Sequence, residues 1–152
     1  MSGQMVALVA DHNAVPMKLR LAAWLTARGH LVLDRGVHDE QVVDYPVLCE
    51  DLCTQVLTGA ADTGVVLGGS GEQMACNKMR GVRAALCHDT FVAEIARAHN
   101  DAAILVMGAK AIAPAAAERI LEVWLGTAFR GGLHAQRLDQ IAALERGESL
   151  IP

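Results

Sequence analysis

A few short stretches of this chain carry residue types suited to acid–base or anion-binding chemistry. Asp11-His12 sets a carboxylate beside an imidazole. Such a pair serves proton transfer or ligand binding, with a solvated turn as the alternative. Gly68-Gly69-Ser70-Gly71 stands where a strand would give way to a helix. Its backbone N–H groups can converge on a phosphate or a developing oxyanion, or the segment is simply a tight turn. It lacks the Lys-Ser/Thr ending of a nucleotide-phosphate loop, and it follows the third strand instead of the first, which argues against a dinucleotide fold. Glu72 comes next. The helix dipole alone explains an acid there, although a carboxylate beside an anion loop is also a general-base candidate. In His99-Asn100-Asp101 the last two residues are ordinary helix-ending types, so His99 is the open question. His134 and Arg137 are three apart and share a helix face. Two basic groups near a helix start oppose the dipole and point to an anionic partner, with a solvated face as the rival. Cys87-His88-Asp89 reads as a strand end and helix cap.

Metal chemistry is not expected. Cys49 and Cys53 are one helical turn apart, but no further ligand follows at zinc spacing, and His30 and His38 do not supply one. None of the six histidines falls in a His-Glu-x-x-His pattern. The four cysteines, with Cys76 and Cys87, read as buried free thiols. No cofactor is expected either.

The elements that must hold these residues are legible in the apolar pattern. Buried strands are expected at Met5–Ala10, His30–Asp34, Thr63–Leu67, Val82–Cys87 and Ala103–Met107. Helices are expected over Pro16–Arg28, Tyr45–Leu57, from Glu72, from Asp89 or Thr90 to about His99, over Pro114–Gly126, and from about His134 to Arg146. This alternation implies a parallel sheet covered on both faces. Asp11-His12, Gly68–Gly71 and Gly108-Ala109-Lys110 then all follow strands, at the edge where such sheets bind ligands.

The chain has 152 residues, 53% hydrophobic and 20% charged, enough for a packed core. No linker or repeat divides it, so residues 1–152 are read as one domain. A net charge of −4 and 3% aromatic residues argue against nucleic-acid binding. No apolar run reaches the ~20 residues that span a bilayer, and the N-terminus does not resemble a signal peptide. A soluble cytoplasmic protein is expected.

Six motifs in order carry a family resemblance: Ala10-Asp11-His12, Asp44-Tyr45-Pro46, Gly68 to Gln73, Asn77-Lys78, Ala98 to Asp101, and Gly131-Gly132-x-His134-x-Gln136-Arg137. Over roughly Val6 to Leu144 the chain resembles the ribose-5-phosphate isomerase B family, which includes the allose- and galactose-6-phosphate isomerases. The resemblance implies an α/β fold, a Rossmann-like three-layer α/β/α sandwich with a five-stranded parallel sheet. It implies a homodimer or homotetramer, with the C-terminal helix on a partner and the site at the dimer interface. It also implies metal-independent aldose–ketose isomerisation of a sugar phosphate through a cis-enediolate, a pentose-phosphate-pathway reaction of carbohydrate metabolism.

By that resemblance Glu72 is the base, because the cysteine that one branch places directly after the third strand is Gly68 here. Gly69, Ser70 and Gly71 match the anion loop, Asn77 its supporting residue, and His99 with Asp11 the ring-opening pair. Tyr45 matches a wall of the sugar site. His12 and Arg137 match phosphate contacts, with His134, Lys110 and Asn100 nearby. The chain departs from the family pattern in three ways. The glycine loop lacks an Asn-Gly before Glu72, a shortening worth up to ~7 Å of chain. Leu133 and Lys110 each stand where the family has Arg. Asn13-Ala14-Val15-Pro16 also replaces a small Gly-containing turn. The alternatives are an isomerase shifted to another or unphosphorylated sugar, and a binding subunit without turnover.

Overall fold

A computed structural model describes residues 3–39 and 41–152. The strands are β1 (Met5–Ala10), β2 (Leu31–Asp34), β3 (Thr63–Gly68), β4 (Ala84–Leu86) and β5 (Ile104–Gly108). The helices are α1 (Val15–Ala27), α2 (Tyr45–Leu57), α3 (Ser70–Lys78), α4 (Thr90–Ala98), α5 (Pro114–Gly126) and α6 (Leu133–Glu145). One parallel sheet runs in the order β2-β1-β3-β5-β4.

Side chains on a strand alternate between faces, so β1 feeds two apolar layers. Val6, Leu8 and Ala10 join Leu21 and Leu25 of α1 and Ile120, Leu121 and Trp124 of α5. Ala7 and Val9 join Cys49, Leu52 and Cys53 of α2 and Cys76 of α3. This is the expected three-layer α/β/α arrangement. Trp124 is 1% exposed, and its indole N–H donates to Thr63 Oγ1 at 3.1 Å, so its burial strands no polar group.

The chain leaves β1 for β2 on one side and places β3 on the other. The carboxyl ends of β1 and β3 therefore open a crevice at the switch point. Lys18 of α1 helps to build its wall. The side chain is fully buried, and Nζ donates to Asp34 Oδ1 and to the Val37 carbonyl, both at 2.7 Å. Gly36, in the segment thus anchored, lies so close to the end of β1 that a Cβ there would come within 2.9 Å of the Ala10 nitrogen.

Two boundaries differ from expectation by more than one residue. The fourth strand is Ala84–Leu86, shorter than Val82–Cys87, because it is an edge strand paired only with β5. The helix expected from Glu72 begins at Ser70, because extended Gly69 already serves as its N-cap. Asp89 is the cap of α4, its carboxylate accepting from the Val92 N–H at 2.8 Å. Among the described residues no helix is long and apolar enough to cross a membrane.

Candidate active site

A cavity of about 540 Å³ opens at the carboxyl edge of the sheet, over the ends of β1, β3 and β5. Its floor is almost bare of side chains. Gly68 and Gly108 face each other in register on β3 and β5, and Gly69 and Gly71 continue the surface. Asp11, Tyr45, Glu72 and Lys110 supply the functional groups, and Asn13 joins them. Another cavity, of about 360 Å³, lies at the opposite edge around Trp24 and Arg28. Two polar groups there are engaged, with Arg28 stacked over Trp24 and His30 Nδ1 accepting from the Gln4 N–H.

Glu72 is the buried carboxylate of the site, 6% exposed. As the third residue of α3 it reaches back over its own helix start, and Oε2 accepts from the Gly69 N–H at 2.7 Å. This is half of a capping box, with glycine supplying no reciprocal side chain. The other carboxylate oxygen lies over Gly68, where a Cβ would collide with it. The first N–H groups of a helix have no intrahelical acceptor. With the Gly69 donor taken, those of Ser70 and Gly71 are left at the positive end of the α3 dipole, facing the cavity.

Asp11 follows β1 directly, its N–H bonded to the Leu67 carbonyl at 3.1 Å. Its Oδ1 accepts from the Asn13 N–H at 2.8 Å, an Asx-type turn that aims the carboxylate at the cavity. Tyr45, the first residue of α2, lays its hydroxyl against Gly71, where a Cβ would come within 2.6 Å of the oxygen. Lys110 is exposed and forms no ion pair among the described residues.

The remaining candidates lie elsewhere. His99 and Asn100 follow α4, at the amino edge of the sheet, whereas Asp11 and Glu72 sit at the carboxyl edge. The length of β5 separates the two edges, about 13 Å at ~3.3 Å per residue. His134 and Arg137 lie with His99, because the first turn of α6 packs on the end of α4. The two imidazoles stack with centroids 3.9 Å apart. Asn77 spends its side chain inside the fold. Its amide donates to the Gln73 and Ala84 carbonyls and accepts from the Ala84 N–H, which pins α3 to β4. His12 turns away from the cavity floor. Its Nε2 meets the Asn13 amide at 3.2 Å, and its Nδ1 is buried with no hydrogen-bond partner among the described residues.

Two features of the site were not read from the sequence. The position of the Glu72 carboxylate is one, and the only signal for it was an acid three residues after an N-cap glycine. The other is a group of thiols behind the site. Cys49, Cys53 and Cys76 are buried together between α2 and α3, and the Cys49 thiol points to the Glu72 carbonyl at 3.7 Å. Hydrogen bonds from Cys49 and Cys53, together with burial, hold the Cys76 thiol far above its ordinary range. Among the described residues no group of His, Cys, Asp and Glu could hold a metal ion.

Fold and site together define a parallel α/β protein with a buried carboxylate beside a free helix N-terminus at its switch point. The family model described as Ribose/Galactose Isomerase matches residues 6–141. Ribose-5-phosphate isomerase B of Escherichia coli strain K12 is 33% identical over 143 residues, covering 93% of this chain and 96% of that one. Ribose-5-phosphate isomerase B of Mycobacterium leprae is 35% identical, covering 100% and 96%. The solved structure of Clostridium thermocellum ribose-5-phosphate isomerase B superposes with a TM-score of 0.92 at 35% identity, covering 95% and 99%. The chain belongs to the ribose/galactose isomerase family.

Proposed function

We propose that this chain interconverts an aldose phosphate and its ketose, of the ribose 5-phosphate and ribulose 5-phosphate type, by moving a proton between C1 and C2. The observation that carries this reading is the Glu72 carboxylate, 6% exposed and set beside the unpaired N–H groups of Ser70 and Gly71. Burial keeps a base dry, and helix-start donors suit the oxygen on which charge develops. Glu72 takes the C2 proton of the open-chain aldose. The electron pair moves onto O1, where the Ser70 and Gly71 N–H groups hold it; the hydroxyl proton of O2 passes to O1, and Glu72 returns its proton to C1, leaving the ketone at C2. Tyr45 closes the sugar site from the α2 side.

The furanose must open first, and the residues for that step are divided between the two edges of the sheet. Asp11 accepts the proton of the anomeric hydroxyl while His99 protonates the ring oxygen, so His99 comes from a second copy of the chain. His99, Asn100, His134 and Arg137 of one copy then face Asp11, Tyr45, Glu72 and Lys110 of the other. The exposed surface of α6 supports this arrangement. That helix buries only Ala143 and leaves Leu133, Ile141 and Leu144 more than half exposed. Arg137 and Lys110 are the phosphate contacts, with His134 beside Arg137, and Leu133 stands where the family has an arginine.

Proton NMR in deuterated water tests the reading, by following deuterium entry at C2 of ribose 5-phosphate and then of ribose. Glu72→Gln should slow exchange by about 10²–10⁴-fold. Full activity in that variant would remove Glu72 as the base. Sugar-phosphate binding without any exchange in the wild type would identify a non-catalytic binding subunit instead.

A further inference from the structure

His99 ends α4 and His134 opens α6, and their rings stack with planes 10° from parallel. Two imidazoles this close repel each other's protons, so charge on His99 opposes charge on His134. Positive charge gathers around the pair. Arg137 lies one turn further along α6, and Arg130 precedes that helix. The first cause that holds His134 below the ordinary histidine range is desolvation by the packed protein, followed by repulsion from His99, Arg137 and Arg130.

The acids of the neighbouring elements do not cancel this charge. Glu94 of α4 is taken by Arg130, at 3.0 Å. Asp101, two residues past His99, is held by Arg83 and Arg97, both at 3.3 Å. Arg137 has no ion-pair partner among the described residues. His134 is therefore an imidazole kept short of protons, stacked on His99 beside cations that await an anion.

We propose that the substrate's own phosphate loads this pair: when the dianion settles at Arg137 and His134, the stack takes up one proton, and His99 delivers it to the furanose ring oxygen. This rests on the reading that phosphate binds at Arg137. The proton comes from solvent. As the C1–ring oxygen bond breaks, its electron pair stays on that oxygen, which takes the proton from His99. Asp11 of the second copy accepts the proton of the C1 hydroxyl, leaving the aldehyde. The imidazole pair is neutral again, and Asp11 returns its proton to water. His134 is thus a positioning and charge-tuning residue, and a sugar without phosphate brings no anion to load the pair.

The test follows the imidazole Cε1–H resonances of the wild-type protein through a pH titration, without and with saturating inorganic phosphate. Phosphorus NMR reports binding independently. Phosphate should raise the midpoint of the His134 transition by at least about one pH unit, a tenfold gain in proton affinity. A phosphorus resonance that shifts or broadens while the His134 midpoint stays in place overturns the coupling and leaves the phosphate site standing. A phosphorus resonance unaffected by the protein overturns both.

Discussion

The Glu72 carboxylate occupies the space into which a side chain on Gly68 would project. In the family branch with a cysteine directly after the third strand, that side chain is the expected base. Here Glu72 is the third residue of α3. From there its carboxylate folds back over the end of β3 and is fixed by the Gly69 N–H at 2.7 Å. A carboxylate set from a helix start thus fills the volume that a side chain set from the strand end would take.

Gly68→Ala should remove most of the activity while leaving the fold intact. A Cβ there forces the carboxylate aside, and ~1 Å of misplacement costs about 100-fold in rate. The measurement is kcat for ribose 5-phosphate beside a thermal melt. In a Glu72→Ala background the same space is empty. Gly68→Cys should then recover part of the C2 exchange that Glu72→Ala loses, and no recovery would mean that the two positions do not serve the same volume.

Gly71 and Tyr45 form a second tight pair. Gly71→Ala drives a methyl group to within 2.6 Å of the Tyr45 hydroxyl oxygen and should lower kcat/KM at least tenfold. Tyr45→Ala removes the obstructing ring, whose oxygen and Cζ would lie 2.6 and 2.8 Å from that methyl group. The double variant should therefore fall short of the product of the two single losses. A double-mutant cycle measures this, and strictly additive losses would dissociate the two residues.

How far the sequence reveals this molecule depends on which physical signal carries each feature. Met5–Ala10, Tyr45–Leu57 and Pro114–Gly126 match their expected spans, because a buried apolar run or a proline in the first helical turn is a local signal. The truncation of Val82–Cys87 to Ala84–Leu86 depends on which strands have neighbours on both sides, which is a property of the sheet. At the site, residue types were legible and their spending was not. Asn77 looked like a supporting group for the glycine loop, but its amide is bonded to Gln73 and Ala84 within the fold. The stacking of His99 on His134 joins residues 35 apart in the chain (134 − 99), and no periodicity reports such a contact.

Lys18→Met should destabilise the protein by about 3 kcal/mol, since it leaves Asp34 without its cation and the Val37 carbonyl without its donor. For a chain of this size that lowers Tm by roughly 6–12 °C. Because the Lys18 bonds hold the segment after β2 against the end of β1, kcat should fall more than the melt alone predicts. Unchanged Tm would show that the buried pair contributes nothing to stability.

Stability should decline at alkaline pH through Cys87. Burial, aided by the charge of Asp89, pushes its thiol up to about 12 from an ordinary value of 9.0. Above pH 9 the unfolded chain loses this proton while the folded chain keeps it. The folded state then binds more protons, so stability falls as pH rises, by about 1.4 kcal/mol per pH unit for one thiol. Denaturant midpoints between pH 8 and pH 11, compared with those of Cys87→Ala, isolate the contribution. An equal decline in both proteins would assign it to other groups.

The proposed division of the site between two copies makes a quantitative prediction. Glu72→Gln chains and His99→Asn chains should each be nearly inactive alone. In a two-fold dimer each site takes Glu72 from one chain and His99 from the other. A mixed dimer therefore contains one site with both substitutions and one site with neither. Random reassembly of equal amounts makes half of the dimers mixed, so the refolded mixture should recover about a quarter of wild-type activity. If both residues acted within one chain, every chain in the mixture would lack one of them and activity would stay at the background of the separate variants. The assay is C2 exchange by proton NMR after co-refolding, with separately refolded variants combined without exchange as the control. The distance between the two edges of the sheet decides which outcome is expected, since a single furanose cannot bridge the length of β5 to reach Glu72 and His99 of the same chain.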